Sequence, residues 1–472
     1  MSKALDHAYR AATAWIDGLD ERPVAARATR DELAAIFGGP LPELGTRSEE
    51  VVEWLTRHAG DGMLGSAGGR FFAWVIGGGV ESALAADWLV STWDQNAALY
   101  ACSPAASVIE DVAGAWIKEL LDLPRESSFA FTTGCQLAHS TCLAAARHAL
   151  LKRADWDVEQ DGLFGAPRLT ILASEERHGS IDRAARCLGL GGRAIQPLAT
   201  DDSGRIAPMA LEQAISRSAD PAILVLNAAD LNIGACDRFA ELIPMAHSAG
   251  LWVHVDGAFG LFARASRAHR HRLSGVELAD SWATDGHKWL NVPFDCGIAI
   301  VRDRAAHRAA MTTSAAYIAA QSDARDQIDW NPEWSRRARG VPVYAALKEL
   351  GREGVEALID RCCAHCEALV DGLGALAGVE VLSPASLNQG LVRFNRIADT
   401  PEENDAFTDE IIAKINATGE AFFSSTTWRG RRAMRVSVVN WRTSESDIER
   451  AVAAARAALA QSHAGSSLQI EG

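Results

Sequence analysis

Six short apolar runs, set apart by stretches of helical periodicity, constrain this chain more than any other feature. They are "FAFTT" (129–133), "RLTILA" (168–173), "AILVLN" (222–227), "LWVHVD" (251–256), "SWAT" (281–284) and "GIAIV" (297–301). The runs are apolar throughout rather than alternating, the pattern of strands buried on both faces. Helical patterns such as "QLAHSTCLAAARHALLKR" and "IDRAARCLG" lie between them, so they predict a mainly parallel sheet covered by helices on both sides, an α/β domain.

At 472 residues the chain has material for two or three domains. Residues 1–60 read as polar-faced helices broken by "GGPLPELG", a helical arm; 61–340 form the large α/β domain, including a helix from Val108 to Leu121. Residues 341–472 read as a smaller α+β domain with strands in "VEVLSP", "GLVRFN" and "RAMRVSVVNW" and a last helix opened by Ser444 with Asp447 three residues on. The end, "AQSHAGSSLQIEG", reads as a frayed tail.

Composition removes several function classes. Hydrophobic residues make up 48% and charged residues 23%, an ordinary soluble globular balance. A net charge of −15 leaves no basic face for nucleic acid. No apolar run approaches a membrane span, and the start carries acidic residues without the apolar core of a signal peptide. Nine scattered cysteines do not form a disulfide framework, and a reducing cytoplasm is the expected compartment. In "RCCAHC", Cys362, His365 and Cys366 fall at helical spacing, but no second ligand pair lies nearby; they read as small buried residues on a helix, and no metal is expected. The basic stretch "RAHRHR" (267–272) reads as a solvated loop.

In a parallel sheet the ligand crevice lies beyond the carboxyl ends of the strands. There the chain places Gly134, Cys135 and Gln136 at a helix start whose N–H groups suit a phosphate, then His178 in "SEERHGS", Asp256 followed by Gly257 and Ala258, and Lys288 in "DGHK". Singly, each has a bland reading as a turn, a cap or a surface charge. Together an anion cradle, a flat aromatic ring, a buried carboxylate and an amine are the set that pyridoxal phosphate needs. Lys288 stands without other cations except His287, so desolvation beside a cationic group is expected to depress its pKa.

The order "TTGCQLAH…SEERHGS…NAADLNIGACD…HVDGAFG…DSWATDGHKWLNVPFDCG…RVSVVNWRT" resembles the group II pyridoxal-phosphate-dependent amino acid decarboxylases, over roughly residues 70–445. "HVDGA" and "DGHKW", with Asp256 and Lys288 32 residues apart, carry most of the likeness. The resemblance implies the fold type I aminotransferase architecture and a homodimer with active sites at the subunit interface. It implies Lys288 as the Schiff-base lysine, Asp256 as partner of the pyridine nitrogen, His178 stacked on the ring, Ala258 against the opposite face and Cys135 and Gln136 at the phosphate. His287 would bond the phosphate or stack on substrate, and Arg435 matches an arginine near the substrate end. Phe72, Trp74 and Tyr100 resemble pocket-lining positions favouring an apolar or aromatic side chain, with core packing as the alternative.

Three departures stand out. Asp230 and Leu231 occupy a place where the family commonly has threonine, and a carboxylate there would repel the cofactor's phenolate oxygen unless protonated or turned away. Gly286 replaces proline and is expected to loosen the turn before Lys288. Ahead of the pair Arg336–Arg337, "ARDQIDWNPEW" lacks the tyrosine that protonates the carbanion in relatives, and Tyr317 resembles a different position. The expected reaction is decarboxylation of a small-molecule L-amino acid to an amine and CO2. An aldehyde synthase, an aminotransferase and an inactive binding subunit remain as alternatives.

Overall fold

The computed structural model describes residues 2–217, 220–313, 324–396 and 399–467, and within them the chain forms two compact units. Tyr317 lies outside the described residues.

The larger unit, residues 77–364 and 385–390, is built on seven strands. They are β1 (Ser128–Thr132), β2 (Thr170–Ser174), β3 (Ile195–Leu198), β4 (Ala222–Asn227), β5 (Trp252–Asp256), β6 (Ser281–Asp285) and β7 (Gly297–Val301). Their order is β1-β7-β6-β5-β4-β2-β3, and only β7 runs against its neighbours. All six apolar runs are strands of this sheet; β3, "IQPL", escaped the pattern because it pairs with β2 alone at the edge, where Pro197 and a polar residue are tolerated.

The helix Cys135–Arg153 packs across β1, β5, β6 and β7. Its buried face is mostly small, including Ala138, Cys142, Ala145 and Ala146, so it sits close to Ala130, Ala283 and Ala299 of the sheet. That close seat brings the start of the helix to the carboxyl ends of β5 and β6.

The smaller unit comprises residues 1–76, 365–384 and 391–472. Its sheet has the order β10-β11-β9-β8, with β8 (Val379–Ser386), β9 (Gln389–Phe394), β10 (Ser424–Trp428) and β11 (Arg431–Ser437). Residues 1–76, read from the sequence as an arm and the entry to the large domain, are tied into this unit by backbone bonds: Val24 N–H donates to Gly419 O, Phe72 N–H to Phe422 O and Ser437 N–H to Phe72 O. The last helix, Glu445–Ser467, is opened by Ser444 and Asp447, whose backbone and side chains bond reciprocally, and it continues into the stretch expected to fray. Among the described residues no helix is long and apolar enough to cross a membrane.

Candidate active site

Asp256 ends β5, the central strand of the larger sheet, and is 7% exposed. Its Oδ1 accepts from Ala258 N–H at 3.1 Å and lies 3.5 Å from His139 Nε2; among the described residues Oδ2 has no partner. Burial alone would raise the pKa of this carboxyl, but His139, His178 and Lys288 outweigh it and hold Asp256 well below the usual carboxylate range.

Lys288 follows β6. Its Nζ lies 3.3 Å from Asp285 Oδ2, and its side chain keeps 22% exposure beside an aspartate with 3%. The depressed pKa expected from the sequence is overturned. Burial does act to lower it, yet the charges of Asp285 and Asp256 prevail, and the free amine is held as an ammonium above the ordinary lysine value.

Asp285, unremarked in the sequence, organises the rim. Its Oδ1 accepts from Cys135 N–H at 2.6 Å, so this helix-start amide is already engaged and not free for a phosphate as expected. Burial next to Asp285 and Asp256 keeps Cys135 a neutral thiol. Gln136, half-buried, retains its side-chain amide as a donor at the same helix start.

His287 Nδ1 accepts from Cys296 N–H at 3.2 Å, its Nε2 lies 3.6 Å from Asp285 Oδ2, and its ring packs on Phe294 with centroids 4.4 Å apart. Gly286 does not loosen the turn. Its N–H donates to Cys296 O, and an added Cβ would come within 2.9 Å of Cys296 Sγ, so the position is tight. Gly77 is used similarly, since a Cβ there would lie 2.1 Å from the carbonyl oxygen of Lys288.

His178 caps the helix Gly179–Cys187 through Nδ1, which accepts from Ser180 N–H at 3.2 Å, and its ring is exposed. Asp230 is engaged within its own loop, where its carboxylate accepts from the N–H groups of Asn232, Ile233 and Ala235. Tyr100 is partly buried, with its N–H on Asp326 Oδ1. Phe72, Trp74 and Arg435 belong to the smaller unit. There Phe72 is fully buried and stacks on Phe423, which is core packing; Trp74 is 49% exposed, and Arg435 is buried in β11.

Behind Asp256 lies a polar cluster that no sequence motif had marked. His139 Nε2 is 3.4 Å from Cys135 Sγ, and its Nδ1 is 2.9 Å from His254 Nε2. His254 Nδ1 is 3.0 Å from Ser281 Oγ, which accepts from Trp252 Nε1–H at 2.9 Å. Cys135, His139 and Asp256 form the cluster of metal-ligand type among the described residues, whereas Cys362, Cys363 and Cys366 are buried along the helical stretch Gly340–Gly374. The i, i+4 spacing of Cys135 and His139 was the available signal.

The family model for the pyridoxal-dependent decarboxylase conserved domain matches residues 62–397. The chain belongs to this family. Among decarboxylase relatives, aromatic-L-amino-acid decarboxylase of Bacillus atrophaeus is 27% identical over 91% of this chain and 89% of its own length. L-2,4-diaminobutyrate decarboxylase of Rhizobium meliloti (strain 1021) is 29% identical over 87% and 82%. The crystal structure of Oryza sativa TDC with PLP and tryptamine superposes with a TM-score of 0.90 at 23% identity, covering 97% of both chains, a likeness of fold. This decarboxylase is thus a pyridoxal-phosphate-dependent carboxy-lyase of fold type I. The site fits that cofactor: an amine, an ionised carboxylate with one unengaged oxygen, an exposed imidazole and the small Ala258 meet on one rim.

Proposed function

We propose that this decarboxylase removes the α-carboxylate of an L-amino acid, releasing an amine and CO2, with Lys288 holding the cofactor covalently and Asp256 facing its ring nitrogen. The observation that carries the reading is that Asp256 ends β5 and Lys288 follows the adjacent parallel strand β6, so carboxylate and amine share one rim at the carboxyl ends of the strands. When bound, pyridoxal phosphate supplies an electron sink conjugated to the substrate's α-carbon.

The residues do the rest. Asp256, kept ionised, would hold a proton on the ring nitrogen. His178 would stack on the ring and Ala258 would leave room on the other face. Gln136, through its side-chain amide, would anchor the phosphate, while Asp285 holds the Cys135 N–H and draws the ammonium of Lys288 into position. His178 or water returns a proton to the α-carbon, because "ARDQIDWNPEW" has no tyrosine to do so. We extend the proposal to an apolar or aromatic substrate side chain, in line with the Bacillus relative, to a homodimer with its sites at the interface, and to a cytoplasmic location.

Borohydride reduction of the loaded protein followed by peptide mass mapping is expected to fix the cofactor on Lys288. Incubation with a panel of L-amino acids is expected to yield CO2 and amine in equal amounts. A keto acid without CO2 would instead mark an aminotransferase. Aldehyde with peroxide would mark an aldehyde synthase, the reading favoured by the missing tyrosine, and no adduct on Lys288 would end the enzyme reading.

A further inference from the structure

The buried polar chain behind Asp256 carries one further assignment. Working back from the carboxylate fixes each proton. His139 Nε2 faces Asp256 Oδ1 at 3.5 Å, an ion-pair distance rather than a short hydrogen bond, and Cys135 Sγ at 3.4 Å. Next to an ionised oxygen and a neutral thiol, Nε2 is the nitrogen that bears hydrogen. With one ring hydrogen on each imidazole, Nδ1 of His139 is a lone pair and His254 Nε2, 2.9 Å away, donates to it. That leaves His254 Nδ1 to accept from the Ser281 hydroxyl, whose oxygen is already held by Trp252 Nε1–H. His139, His254 and Ser281 are fully buried and Trp252 nearly so, so water cannot substitute for a lost partner. Every donor in the chain points toward Asp256.

We propose that His139 is the positioning residue for Asp256, orienting the carboxylate and keeping it ionised, and that the donor chain Trp252–Ser281–His254 locks His139 in the tautomer that can do so. Asp256 is met by His139 from its own helix, by His178 from the next helix start and by Lys288 after β6, with Cys135 and Asp285 as the other ionisable groups on the rim. Of these, His139 is the one that reaches Oδ1 from behind, away from the amine, and so acts on the carboxylate without meeting substrate. Burial holds His254 down to about 3, in keeping with its neutral place in the chain.

This assignment rests on the cofactor reading above, and its test has an arm independent of that reading. In the cofactor-free protein, long-range 15N–1H correlation of the histidine rings is expected to show hydrogen on Nε2 of both His139 and His254. Hydrogen on Nδ1 of His139, as the other tautomer or as imidazolium, would overturn the proposal whether or not the protein binds cofactor. In the loaded protein, His139→Leu is expected to weaken cofactor binding about tenfold or more and to move the pH titration of the bound cofactor's visible band by about one unit, the scale of one lost contact to a charged group. His139→Gln, which restores a donor, is expected to recover part of both. Should His139→Leu not fold, Ser281→Ala, which cuts the chain two residues from Asp256, is expected to shift the same titration in the same direction. Cofactor affinity and titration within twofold of the parent in these variants would leave His139 a packing residue and sink the proposal.

Discussion

At the scale of single residues, the segment before Lys288 is set by space. Gly286 is followed by Lys288 two positions on and leaves no room for a side chain against Cys296 Sγ. Gly286→Ala is therefore expected to destabilise the protein by about 1–3 kcal/mol through overpacking. Adding Cys296→Ala removes the clashing sulfur and is expected to recover most of that loss, as denaturant unfolding of the two variants will show. The residues named from the sequence, Lys288, Asp256, His178 and Ala258, stood at the ends of apolar runs and could be read because a parallel sheet gathers those ends. Asp285 and His139 could not. One looked like the end of a strand and the other like a polar position on a helix, and only the seat of the helix Cys135–Arg153 on β5 and β6 gives them their neighbours.

At the scale of elements, continuous burial made β4 and β7 legible to the residue, whereas β3 is short and broken by Gln196 and Pro197 and β10 is almost wholly serine and threonine. The pair Arg336–Arg337, useful as a landmark, proves structural. Arg336 is fully buried, donating to Glu110 Oε2 at 2.8 Å, to Phe131 O in β1 and to Ala97 O, so one guanidinium ties the helix Pro104–Leu120 to the sheet. Arg337 reaches Asp87 and Ser91 on the helix Glu81–Trp93. Arg336→Met leaves Glu110 charged and unpaired and is expected to cost about 3–5 kcal/mol. The double variant Arg336→Met with Glu110→Leu is expected to regain much of it, measured as a shift in denaturation midpoint at constant slope.

At the scale of the whole molecule, stability is expected to depend on acid through buried histidines. His254 and His307 are both fully buried and held down to about 3 by desolvation first. Below the unfolded value near 6.5, the unfolded chain takes up protons that the folded chain refuses, so stability falls as pH drops from about 6.5 toward about 3. The slope is about 1.4 kcal/mol per pH unit for each histidine, and His307→Gln is expected to remove its half in a series of unfolding curves. Asp256, with a depressed pKa, adds stability that is present above about 4 and lost below it. Lys288 acts at the other end, adding stability present below about 10.4 and lost as pH rises through its raised value. The link between Lys288 and Asp285 has a consequence of its own. On the role proposed for Lys288, this ion pair keeps the unloaded amine a cation, so a stray aldehyde would meet an ammonium instead of a nucleophile at that position.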